Sequence, residues 1–327
     1  EIDTGEKADL QAFFDRIYPD PELCKYVITL LASCLEGQNK EQRFYVNQGE
    51  GSNGKSMIQN LMEFTFGDYQ TSLQTTVLTR KRPESGAANP DMITTKSKRY
   101  IYMGEPDPGE KLNTSRMKQL SGEDRIEARG LFSDQEKFTM MGKLFLSCND
   151  KPEVSSMDNG TWRRIRVIPH VSTFKDPGDP AINPERHIYP KDLTLKHKLR
   201  EWRVAFLSML VHYYDTQYLP YGLKEPAVVV EASNRYKEEN DVFMKFFAEC
   251  FAKEEGASPL TAAIVRNQFR DWKARNRGTR IELKEAQIMD RMRMTCSAGS
   301  TDKLFLGIVI VTETTDLSGA QFLSNPP

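Results

Sequence analysis

The chain has 327 residues, with 45 Lys+Arg against 46 Asp+Glu and a formal net charge of −1. That length is enough for two or three domains with real cores, and the near-neutral balance means that a polyanionic partner would have to be held by local basic clusters. No run approaches the roughly 18 apolar residues of a membrane span, no signal peptide opens the chain, and a first residue of Glu1 rather than methionine suggests a fragment of a longer polypeptide. Cys24, Cys34, Cys148, Cys250 and Cys296 form no CxxC pair and read as reduced thiols of an intracellular protein. His170, His187, His197 and His212 lack metal-ligand spacing.

In chain order, residues 1–38 read as a helical segment. Leu23, Tyr26, Val27, Leu30, Leu31 and Cys34 recur at helical spacing, and Gly37 stands where a C-terminal cap would. From about 42 to 170, the short apolar runs RFYVN, RYIYM, KLFLSC and RIRVI alternate with helices and loops, the pattern of an α/β sheet with loops gathered at strand ends. A loop containing Pro177, Pro180, Pro184 and Pro190 follows. Next, one long helix is expected over 191–216, with Leu199, Trp202, Phe206, Leu210 and Tyr213 on one face.

After Tyr218 the pattern describes a second unit. Val242, Phe243, Phe246, Phe247, Cys250 and Phe251 form one helical stripe, TAAIVRNQFRDWKARN a second helix with Val265, Phe269 and Trp272 inward, and KEAQIMDRMRM a third. KLFLGIVIV (303–311) reads as a closing strand, and three helices with a β-ribbon in that order suggest a winged helix. The expected organisation is a helical segment at 1–38, an α/β core at 39–218, a helical linker with a winged helix at 219–315 and a tail at 316–327.

The chemistry concentrates in GEGSNGKS. Gly49 to Ser56 matches G-x-x-x-x-G-K-[ST], and it follows a strand and enters a helix as a P-loop must. Gly49, Gly51 and Gly54 leave room for backbone N–H groups to turn onto phosphate oxygens, and the helix N-terminus adds partial positive charge. Lys55 would reach the β- and γ-phosphates of ATP and Ser56 would ligate Mg²⁺. RYIYMG ends in EPDPGE, which puts Glu105 at a strand end as the metal- and water-activating acid, with Asp107 as a second carboxylate; a plain polar turn is the alternative. KLFLSC ends at Asn149, whose amide could hold an attacking water or simply stabilise a turn.

In this order GEGSNGKS, EPDPGEKLN, MKQLSGEDRIEARGLF, FLSCND and GTWRRIRVIP resemble the superfamily 3 helicases, most closely the branch of poxvirus-type primase-helicases and related phage and plasmid replication proteins. Asn53 before Gly54 fits that superfamily better than general P-loop kinases. The resemblance implies an AAA+-like core in a homo-oligomeric ring, usually hexameric, moving 3′→5′ on one DNA strand at an intracellular, viral replication site. Lys55 and Ser56 then match the Walker A positions, Glu105 the Walker B acid and Asn149 the sensor. Arg163 or Arg164 matches the arginine finger that reaches a neighbouring subunit. The stretch 118–142 matches the channel hairpin, with Lys118, Arg129 and Lys137 as phosphate contacts and Phe132 as a stacking or wedging side chain. The acidic primase centre of such proteins has no counterpart here, so any primase domain would lie upstream.

The residues alone support the DNA contacts only in part, because the hairpin mixes charges of both signs. A cation beside an exposed aromatic is nonetheless suited to sequence-independent single-strand binding. Arg266, Arg270, Lys273, Arg275, Arg277 and Arg280 form a basic face away from Trp272 that could hold duplex or forked DNA, or merely solubilise a helix. Arg80, Lys81 and Arg82 read equally as a subunit contact or a loop. The alternatives to a helicase are a P-loop packaging ATPase or small-molecule kinase, and a DNA-binding replication initiator whose nucleotide site is only an assembly switch.

Overall fold

The computed structural model describes residues 4–80, 88–130, 132–154, 156–276 and 284–311. Lys81, Arg82, Arg277, Arg280, Leu131 and the expected tail lie outside the described residues. The chain divides into two compact units after Lys237.

The first unit opens with α1 (Thr4–Ile17) and α2 (Pro21–Ser33). Asp20 caps α2 by accepting from the N–H groups of Glu22 and Leu23, with Pro21 at the first helical position, where its missing N–H costs nothing. Five strands then form one parallel sheet: β1 (Phe44–Gln48), β2 (Gln70–Ser72), β3 (Tyr100–Met103), β6 (Lys143–Cys148) and β7 (Ile165–Pro169), in the order β2-β3-β6-β1-β7. The four longer strands lie at the four apolar runs read from the sequence. The three-residue β2 was too short and too polar to be read.

A parallel sheet is covered on both faces, so its strands are apolar throughout. Tyr45, Tyr100 and Phe145 face one layer and stack in a row, with ring centroids 5.2 and 4.7 Å apart. α1, α2 and α3 (Lys55–Phe66) pack into that layer through Phe14, Leu30 and Leu61. Phe44, Val46, Ile101, Leu144 and Val167 face the opposite layer, where Met117 and Leu120 of α4 (Thr114–Ser121) lie. Between α4 and β6 runs an antiparallel hairpin of β4 (Arg125–Arg129) and β5 (Gln135–Thr139), with Ile126 and Ala128 turned inward.

Two expectations in this unit are corrected. The single helix over 191–216 is two α-helices, α5 (Leu195–Glu201) and α6 (Arg203–Tyr213), followed by a π-helical turn at Tyr214–Tyr218. Residues 191–194 stay out of the helix because Asp192 turns the chain locally, accepting from both the N–H and the hydroxyl of Thr194. The first unit also extends past Tyr218, because Val229 and Tyr236 of α7 (Ala227–Glu239) are buried in its cores.

The second unit has its own core. Phe243, Phe246 and Phe247 of α8 (Val242–Cys250) meet Val265, Phe269 and Trp272 of α9 (Ala262–Arg275) and Ile288 and Met292 of α10 (Glu285–Thr295). Asp241 caps α8 and is held by Arg291 at 2.6 and 2.7 Å. The three helices fall where the sequence placed them, but Phe251 begins a strand, β8 (Phe251–Lys253). The expected closing strand at 303–311 is two: β10 (Leu304–Phe305) pairs with β9 (Leu260–Thr261), and β11 (Ile308–Ile310) pairs with β8. Gly307 breaks the run, with φ at +70°.

Candidate functional site

Strand register builds the site. In β6, Cys148 lies opposite Gln48 of β1, and Leu146 lies opposite Met103 of β3. The chain therefore leaves the sheet at Gly49, Asn149 and Glu105 side by side, about 4.8 Å apart per strand. Open α/β sheets hold ligands in this position, beyond the carboxyl ends of their strands.

The loop from Gly49 to Ser56 is tightly shaped. Gly54, the N-cap of α3, has φ at +90°, and a Cβ there would stand 2.7 Å from Cδ1 of Ile17. A Cβ on Gly49 would stand 2.5 Å from the His170 carbonyl oxygen and 2.6 Å from Nδ2 of Asn53. Asn53 is buried, accepts weakly from the Lys55 N–H at 3.4 Å, and leaves its Nδ2 without a partner among the described residues. The backbone N–H groups of Gly51, Ser52, Asn53 and Gly54 have no partner among the described residues. A row of free N–H groups at a helix N-terminus is what a phosphate chain needs.

Three side chains join across the strand ends. The Lys55 ammonium donates to the Gly49 carbonyl and to Oδ1 of Asn149, the latter at 3.2 Å. Asn149 in turn donates its backbone N–H to Oε1 of Glu105 at 2.9 Å and its Nδ2 to Oε2 at 3.1 Å. The result is a Lys55–Asn149–Glu105 row drawn from three adjacent strand ends. Burial lowers the Lys55 pKa from its ordinary value, with Cys148 and Glu105 acting in the opposite direction.

This row opens into a cavity of about 730 Å³. Gly51, Asn53, Gly54, Lys55, Ser56, Glu105 and Asn149 line one end. Ser56 is exposed on the first turn of α3, so a hydroxyl and a carboxylate, both hard oxygen donors suited to Mg²⁺, face one space. The lining also includes Phe13 and Ile17 of α1 with Leu193, Leu195 and Trp202, interspersed with the charged Asp9, Arg16, Asp192 and Lys198. Asp107 is not among the lining residues. It stands two residues beyond Glu105 in an exposed turn closed by the Glu110 N–H bonding to its carbonyl.

The arginine pair sits elsewhere. Phe44 of β1 is opposite Ile165 of β7, so Arg163 and Arg164 enter the sheet at its amino edge, roughly 16 Å of strand from their own P-loop. Arg164 is half-buried and donates to the Gly160 carbonyl at 2.7 Å and to Gln42 at 3.3 Å. Arg163 is exposed, with Gln42 at 2.9 Å as its partner.

On the hairpin, Phe132 is fully exposed with φ at +57°, and Arg129 is exposed at the end of β4. Lys137 is opposite Glu127 and pairs with it at 2.7 Å. Lys118 lies on α4 ahead of the hairpin and is bonded to Asp158 at 3.3 and 3.4 Å. Burial pushes the Asp158 carboxyl up, but hydrogen bonds from Ser156, Thr161 and Lys118 outweigh it and hold it well below the usual carboxylate range. In the second unit, Arg266 and Arg270 each come within 3.9 Å of Glu285, and Lys273 is exposed.

Known proteins share this arrangement of sequence. "Putative helicase L207/L206" of Acanthamoeba polyphaga mimivirus is 32% identical over 280 residues, covering 83% of this chain and 29% of that protein. "Putative helicase 022R" of Frog virus 3 (isolate Goorha) is 30% identical over 282 residues, covering 83% and 28%. "Putative primase C962R" of African swine fever virus (isolate Warthog/Namibia/Wart80/1980) is 24% identical over 262 residues, covering 78% and 27%. The chain is a relative of this viral helicase and primase group. It spans less than a third of the length of these curated relatives. No protein-family model matches the chain. Among solved structures, the apo C-terminal region of NrS-1 superposes with a TM-score of 0.56 at 12% identity, over 76% of this chain and 55% of that one, a likeness of fold.

The part of the cavity wall formed by α1 has no signature in the sequence. Asp9, Ala12, Phe13, Arg16 and Ile17 line it, at the i, i+3, i+4, i+7, i+8 spacing of one helix face. Only Phe13 and Ile17 of these five are buried, and their spacing carries no sign that they meet a cavity instead of a core.

Proposed function

We propose that this chain is the ATP-hydrolysing motor core of a DNA helicase in a viral or mobile-element replication machine. The Lys55–Asn149–Glu105 row carries this reading, because it supplies a cation for phosphates, an amide for a water and a carboxylate for the water's proton at one place. ATP would lay its phosphates along the free N–H groups of residues 51–54 and its base against Phe13 and Trp202. Lys55 would stabilise charge building on the β,γ-oxygens, Asn149 would orient the attacking water, and Glu105 would take its proton. Mg²⁺ would be held by Ser56 and Glu105, where it neutralises phosphate charge. Asp107, outside the cavity, has no part in this scheme.

Arg163 is the arginine best suited to reach a neighbour's nucleotide. It is exposed and lies far from its own P-loop, whereas Arg164 is tied to Gly160. Activity then depends on a homo-oligomeric ring, read as a hexamer, around single-stranded DNA. Arg129, Phe132 and Lys137 would face the strand. The second unit, with helices α8–α10 and two small β-pairs, is read as a winged helix whose α9 face, Arg266, Arg270 and Lys273, contacts forked DNA. A primase domain upstream on the same polypeptide would fit the length of the relatives.

The test is ATP turnover with and without single-stranded DNA, beside unwinding of a forked duplex. DNA-stimulated turnover with strand separation supports the motor. ATP-dependent assembly on duplex DNA with negligible turnover would instead favour a replication initiator, and monomeric phosphorylation of a small acceptor would favour a kinase.

A further inference from the structure

The C-terminal end of α1 reaches both ends of the P-loop. Ile17 fills the space beside Gly54. The next residue, Tyr18, is 2% exposed, and its hydroxyl lies 2.8 Å from Nε2 of His170, itself 5% exposed. The backbone of His170 runs beside the P-loop's first glycine: its N–H donates to the Gln48 carbonyl at 2.8 Å, and its own carbonyl closes off the Cβ position of Gly49. The Gly49 carbonyl in turn receives the Lys55 ammonium. Tyr18, His170, Gly49 and Lys55 thus form one chain of contacts from the N-terminal helical segment to the phosphate-binding cation.

Burial fixes the direction of the central bond. It lowers the His170 pKa to about 3, so the imidazole is neutral, and it pushes the Tyr18 phenol well up, so the hydroxyl keeps its proton. Nδ1 faces the Ile168 carbonyl at 3.3 Å, which can only accept, so Nδ1 carries the ring proton and Nε2 accepts from Tyr18. Neither residue lines the cavity, so neither is placed to touch a bound nucleotide. Losing the Tyr18 hydroxyl leaves an orphaned buried acceptor beside the P-loop.

We propose that Tyr18 and His170 are positioning residues of the nucleotide site: their bond sets Gly49, and through it Lys55, in register with α1 along the cavity. The proposal rests on the ATP reading above. It places the effect in nucleotide affinity and leaves the chemical step to Lys55, Asn149 and Glu105.

The test titrates the full chain with a fluorescent ATP analogue and measures melting temperature without nucleotide, for wild type, Tyr18→Phe and Tyr18→Phe/His170→Phe. Tyr18→Phe should weaken analogue binding about tenfold, the scale of one orphaned buried acceptor, and raise KM in proportion with kcat within about twofold. The double variant removes donor and acceptor together, so it should regain melting temperature but not affinity. Affinity that is unchanged in the variants, or that recovers together with melting temperature, overturns the proposal while leaving the ATP reading intact. A wild-type chain that binds no analogue would overturn both.

Discussion

At the ends of β1, β3 and β6, side chains distant in sequence converge, and each polar group is held by another: Lys55 by Gly49 and Asn149, Glu105 by Asn149. The β4–β5 hairpin is the reverse. Its charges come from one short stretch, Lys137 is neutralised by Glu127 across the ribbon, Lys96 reaches Glu136, and the tip residue Phe132 is fully exposed. Chemistry that depends on sub-ångström placement belongs on rigid strand ends. Grip on a strand of any sequence needs exposed cations and an aromatic face, and tolerates local charge pairing. If this division is right, substitutions at the strand ends should act on turnover, and those on the hairpin should act on DNA alone.

The largest effects are expected where the self-contained row needs help from outside. Arg163→Ala should lower turnover on the order of 10³-fold or more, and Lys55→Ala should abolish it with little change in melting temperature. Mixing the two variants should restore part of the activity, because some interfaces then join an intact P-loop to an intact arginine. Steady-state ATPase across mixing ratios checks this, with mixed assembly verified by native mass spectrometry. No recovery at any ratio would mean the arginine acts on its own subunit, against the strand length that separates them. Arg164→Ala, by contrast, should cost melting temperature first, since it loosens the turn after Gly160.

Next in size is the carboxylate. Glu105→Gln should cost about 10²–10⁴-fold in turnover, the range of a lost general base, and still bind ATP. Asp107→Asn should change turnover by less than about twofold, within surface-substitution scatter. Parallel kinetics on both variants decide the assignment. Normal hydrolysis in Glu105→Gln with loss in Asp107→Asn would move the acid two residues on.

How far the sequence reached follows from what each feature depends on. The P-loop is contiguous and its residue types are dictated by backbone chemistry, so Gly49 to Ser56 could be read directly. Glu105 and Asn149 could be read as strand-end residues, but their bonding to each other depends on β6 lying between β3 and β1, which only the sheet order supplies. The cavity wall on α1 was out of reach because Phe13 and Ile17 pattern like any core face. The break at Gly307 was passed over because Leu304, Phe305, Ile308 and Ile310 read as one apolar run, although the glycine that turns it stands in the middle. The pairing of Lys118 with Asp158 and of Lys137 with Glu127 was equally unreadable, since neither pair is contiguous.

Those pairings set the smallest and most discriminating prediction. Lys118, on α4, is engaged by Asp158 and the hairpin's Lys137 by Glu127, whereas Arg129 has no ion pair among the described residues. A cation already paired releases its carboxylate when it meets a phosphate, so its net gain is small. A cation without a partner gives the full counterion-release term. Arg129→Ala should therefore weaken single-strand binding several-fold and reduce the slope of log affinity against log salt by about one, with basal ATPase retained and unwinding uncoupled from hydrolysis. Lys137→Ala should weaken binding less and shift the slope by a smaller amount. Fluorescence anisotropy with a labelled oligonucleotide across a salt series separates the two. Equal effects would show that the Glu127 pair opens freely on binding. Unchanged affinity and slope in both variants would take the strand off the hairpin, most directly to the α9 face around Arg270.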